Sequence, residues 1–190
     1  MKTPQASKTL DELMVRAENF ANATFRSQGK MPPALFAATP TGPMVFVPQS
    51  LSDAQAKDNF ANTARLMCVA HAATAAVIAL EAWATFAKPG ESLDMDTPPS
   101  EALERKELVV LMGEAAGVQK QKLLPIIRTD AGGFFGFGEL KELEVASFKG
   151  RFAEILPPKP PTEKQRADAA VFLDVLGVKS ALPARPGRIS

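Results

Sequence analysis

Four prolines in five residues, Pro157-Pro158-Lys159-Pro160-Pro161, end any helix or strand that reaches them, because proline lacks the ladder N–H and locks φ. The run reads as a stiff spacer. It divides the 190-residue chain into a single domain over 1–156, the spacer 157–161, a C-terminal helix over 162–177 and a basic tail over 178–190. A body of that length can bury one core and needs no staple.

Thr162 and Gln165 have capping-box spacing, Ala169, Phe172, Leu173 and Leu176 form a stripe, and Gly177 supplies the stop. So short a helix draws its stability from packing, so the stripe is expected to dock on this subunit or on another. Phe172 is therefore a candidate binding residue.

In the body, a helix is expected from Thr9, capped with Glu12, whose Leu10, Leu13, Met14, Ala17, Phe20, Ala21 and Thr24 share a face before Gly29. Prolines then frame a hairpin, Ala34 to Ala38 and Met44 to Val47, joined through Thr41-Gly42. Ser52 and Gln55 suggest a second capped helix reaching Ala70. The following window, Ala72 to Ala87, is alanine-rich like a helix but alternates like a buried strand, and is taken as a strand.

Lys88 to Pro99 is expected as a mobile loop, Glu107–Met112 and Gln121–Thr129 as a hairpin about Gly117, and Gly132-Gly133 as the turn into Phe134–Phe137. Pro125 should sit at an edge or a bulge. A short helix fits within Glu139–Ile155. This order predicts an α+β domain, a mostly antiparallel sheet with helices packed on one face, plus the C-terminal helix.

Cys68 is the one cysteine and His71 the one histidine, which excludes an internal disulfide, a Cys-x-x-Cys pair and a structural zinc cage. No metal or cofactor is expected. Three apart on a helix, Cys68 and His71 could form a nucleophile–base pair, but a core cysteine beside a satisfied histidine is the commoner arrangement. Glu81 lies in the most apolar stretch, where burial would raise its pKa and suit it to acid–base work. The competing structural role is a solvated face, or a bridge to Arg105 or Arg128. With either acid–base residue, Trp83 and Arg105 would shape substrate contacts.

Gly132-Gly133-Phe134-Phe135-Gly136-Phe137-Gly138 has neither the Gly-Lys-Ser/Thr of a phosphate loop nor the basic residue and second strand of an RNA-binding sheet. Net charge is +1, with Lys179, Arg185 and Arg188 unopposed by acids at the carboxy end, so nucleic acid is a minor partner class. His71 and Glu81 argue against a membrane span at Cys68–Ala87, and residues 1–5 lack secretory-signal character, which together predict a cytoplasmic protein.

Glu81-Ala82-Trp83, Pro99–Glu107 and Gly132-Gly133-Phe134, in that order, resemble a family of uncharacterised bacterial and bacteriophage proteins without an assigned activity. The resemblance spans roughly residues 65–138. It implies an α+β fold and a mobile-element setting, and transfers no residue role. The function expected is a non-enzymatic protein-interaction or self-associating module, a homo-oligomer; the alternative is a small hydrolase or transferase using His71 or Glu81 as acid/base.

Overall fold

The computed structural model describes residues 4–48, 51–85, 101–103, 105–138 and 150–178. The chain runs α1 (Pro4–Gln28), β1 (Ala34–Thr39), β2 (Gly42–Phe46), α2 (Ala54–Ala70), β3 (Ala75–Ala84), β4 (Lys106–Ala115), β5 (Val118–Arg128), β6 (Phe134–Phe137) and α3 (Glu163–Val175). The strands form one antiparallel sheet, ordered β2-β1-β3-β4-β5-β6, that curls into a half-barrel. The architecture is α+β, as the sequence predicts.

The helices divide between the two faces, however, instead of sharing one. Leu10, Leu13, Met14, Ala17, Ala21 and Phe25 of α1 pack on Phe36, Ala75, Val77, Ala79, Val109 and Leu111. Phe60, Ala64, Met67 and Cys68 of α2 pack on Leu35, Ala37, Ala76 and Ile78. Successive β3 residues thus enter different cores, so Ala75 to Leu80 is an unbroken apolar run. Such a run fits helix and strand alike, and within Ala72–Ala87 the strand is Ala75–Ala84.

Gly113 marks where α1 crosses β4, since a Cβ there would stand 2.8 Å from Leu10 Cδ1 and 3.0 Å from Met14 Sδ. Lys120 pairs with Asp11, and Lys122 Nζ donates to Glu18 Oε2 at 2.6 Å, which ties β5 to the exposed flank of α1.

Two helix starts move. Thr9 lies inside α1 and its hydroxyl donates to the Gln5 carbonyl at 3.1 Å, so it is no cap. The cap of α2 is Asp53, whose Oδ1 accepts from Ala56 N at 2.7 Å; a carboxylate at the positive end of the helix displaces Ser52 by one position. Gly29 at φ +70° ends α1 as expected.

The hairpin turn leaves Thr39 opposite Gly42, a pair that exchanges its hydrogen bonds across the ladder, so Pro43 turns its missing N–H outward and blunts the free β2 edge. Pro125 is similarly placed: its carbonyl accepts from Gly138 N at 2.8 Å, on the side where β6 has ended. Phe134 and Phe137 pack on Phe25, with centroids 5.1 and 5.5 Å away, while Phe135 is exposed. The loop expected over 88–99, residues 139–149 of the expected short helix and the tail 179–190 lie outside the described residues.

Candidate functional site

The residues singled out by sequence fall in three places, of which two, the end of α2 and α3, pack against each other. Cys68 and His71 close α2, on the far face of the sheet from α1. Cys68 is fully buried, and burial followed by the charge of Glu114 pushes its thiol up to about 12, so no thiolate forms near neutral pH. His71 is the C-cap of α2, where partial burial and then the Arg166 charge hold its pKa below the usual value.

Glu81 and Trp83 lie two apart at the opposite end of β3, on the α1 side, with Arg105 over Trp83. Glu81 follows Ala79 by two residues and so shares its face, roughly 20 Å along the strand from Ala75. Its Oε1 accepts the backbone N–H of Met31 just beyond α1. That contact corrects the expected arginine bridge: Arg128 pairs bidentately with Glu107, at 2.7 and 2.5 Å, and reaches the Gly29 and Gly132 carbonyls at 3.3 and 3.4 Å. Burial lifts the Glu81 carboxyl, opposed by the Met31 N–H and by the Arg128 and Lys30 charges. The Arg105 guanidinium lies 4.7 Å above the ring of Trp83, which is half-exposed. His71 and Glu81 therefore face different cores and cannot act on one substrate together.

The third place is α3. Its capping box forms as expected, with Thr162 Oγ1 accepting from Gln165 N at 3.3 Å and Gln165 Oε1 from Thr162 N at 2.9 Å. Ala169 and Leu173 face inward, Leu173 within the α2-side core. Phe172 does not join them: it is 60% exposed, beside exposed Val171, Leu176 and Val175, the last 78% exposed. The expected single stripe is in fact two, a narrow inner one and a wider outer one. An open groove of about 580 Å³ runs between Leu66 and Val69 of α2, the proline spacer and Gln165, Asp168 and Phe172 of α3.

Sequence reasoning passed over Arg65 and Glu114, which hold the segment leading to α3. Glu114, on β4 and 7% exposed, accepts backbone N–H groups from Glu154 at 2.6 Å, Ile155 at 3.0 Å and Leu156 at 3.3 Å. Arg65 donates to the carbonyls of Arg151 at 2.8 Å, Ala153 at 2.9 Å and Glu154 at 3.2 Å. Burial, the larger effect, keeps the Glu114 carboxyl above its usual range despite these donors. The signal that marked Glu81, a carboxylate within an apolar strand, was equally present at Glu114.

Among the described residues no three His, Cys, Asp or Glu side chains gather to hold a metal ion, and no helix is long and apolar enough to cross a membrane. No family model, curated protein or solved structure matches the chain.

Proposed function

We propose that this chain is a non-enzymatic, cytoplasmic interaction module of mobile-element type that self-associates through the outer face of α3. One observation carries the self-association: Val171, Phe172, Val175 and Leu176 stand exposed together on a helix that is itself anchored by Ala169 and Leu173. A two-fold axis between Phe172 and Val175 would set Phe172 against Val175, and Val171 against Leu176, of a second copy. The four side chains offer on the order of 400 Å² per copy, against the ~800 Å² a standard interface takes from each partner. The dimer is accordingly weak and concentration-dependent.

Sedimentation across a concentration series tests it. Association that strengthens with concentration and is lost in Phe172→Glu, with the helical circular-dichroism signal retained, is the expected result. A wild-type chain monomeric up to about millimolar concentration, the bottom of the affinity scale, would remove self-association.

The placement of Glu81 and Trp83 on one face of β3, with Arg105 over the Trp83 ring, favours a second reading, a small hydrolase or transferase with Glu81 as acid/base. Glu81→Gln decides it: any hydrolytic activity that survives the substitution does not use Glu81.

A further inference from the structure

Residues 150–178 are joined to the body on its α2 side, through α2 and one carboxylate of β4. They add no strand to the sheet, and none of them belongs to the core that α1 forms with it. Their ties include the main-chain clamp of Arg65 and Glu114, an ion pair from Arg151 Nε to Asp58 Oδ1 at 2.6 Å, the insertion of Ile155 and Leu173 into the α2-side core, and the packing of Phe152, Leu156 and Val178 against it, with the Phe152 ring 5.9 Å from that of Phe60.

Two of these ties work against themselves. Glu154, in the middle of the clamp, is a non-glycine residue at φ +55°, a left-handed conformation that costs of order 1 kcal/mol or more. Glu114 reaches its three N–H donors only by taking a carboxylate out of water. Nor does α3 bring stability of its own, because thirteen residues are too few for an isolated helix.

We propose that residues 150–178 form a strap that opens as a unit while α1 and the sheet stay folded, uncovering Cys68 and the side of α2 that the strap covers. Cys68 lies three residues beyond Arg65 on α2, in the same packed cluster as Ile155 and Leu173, and close enough to Glu114 for that charge to act on its thiol. The clamp and the thiol therefore share one side of α2, and Cys68 reports on the strap. In the closed state the thiol is both covered and held near 12, so only opened molecules react.

The test is the rate at which an aromatic disulfide reagent labels Cys68 at pH 8, measured at increasing sub-denaturing urea and at a protein concentration where sedimentation shows monomer. That condition separates the strap from self-association. Labelling is expected with a urea slope well below that of global unfolding, because opening the strap exposes only part of the surface. Leu173→Ala should accelerate it by about 30-fold or more, the low end for deleting a buried leucine. Glu114→Gln, a milder change, should also accelerate it. Leu13→Ala, in the α1-side core, should leave it unchanged. A urea slope equal to that of global unfolding, with Leu13→Ala and Leu173→Ala accelerating labelling alike, would show that the strap opens only when the whole chain unfolds.

Discussion

Glu114→Ala removes the acceptor for three main-chain N–H groups. Ile155 N is fully buried and has nowhere else to turn, which costs about 1–3 kcal/mol; Glu154 and Leu156 are less enclosed and can recover water, so each loses only part of a charge-assisted bond. Against that stands relief from burying the carboxylate, and the balance is a loss of about 3 kcal/mol in urea unfolding. Glu114→Gln keeps one acceptor oxygen, enough for Ile155 N and Leu156 N, gives up the bond from Glu154 N and discards the charge, so its cost should be about 1 kcal/mol.

The pH dependence separates the two effects. Burial raises the folded-state pKa of Glu114 above its ordinary value of 4.5, so the folded protein holds this proton more tightly than the unfolded chain does. Stability from this group is then highest below 4.5 and falls as pH rises through the folded pKa. Glu81, also raised, adds a slope of the same sign, so the informative quantity is wild type minus Glu114→Gln. That difference should move in favour of the variant as pH climbs. If Glu114→Ala unfolds within 0.5 kcal/mol of wild type, or the difference is flat with pH, the clamp has been misread.

Gly113→Ala pushes a methyl against Leu10 and Met14 and should cost about 1–3 kcal/mol in thermal or urea unfolding, the range for overpacking a core. Arg128→Ala unties Glu107, Gly29 and Gly132 at a partly exposed site, and a cost of about 1–2 kcal/mol is expected; a double-mutant cycle with Glu107→Gln should isolate a coupling near 1 kcal/mol.

Local sequence determined a good deal. Turn chemistry at Thr41-Gly42 and Gly117, the stop at Gly29 and the Thr162–Gln165 capping box act over four residues or fewer, and each sits where the residues demand it. The α+β class followed from the order of such elements. The inward face of α1 was legible as well, from Leu10, Leu13, Met14, Ala17 and Ala21 at helical spacing, but which faces β3 and α3 turn to which neighbour was settled only by tertiary structure. A strand sandwiched between two helical layers is apolar on both sides, so nothing in Ala75–Leu80 announces that α1 and α2 take opposite faces. On α3 the apolar residues span most of the helix circumference, and the docking of Ala169 and Leu173 on α2 decided that Phe172 faces outward. The same holds for the charges: a carboxylate in an apolar strand announces burial, but its partner lies dozens of residues away. Glu81 meets Met31 and Glu114 meets residues 154–156 because the sheet and the strap bring them together, a distance over which sequence spacing carries no information.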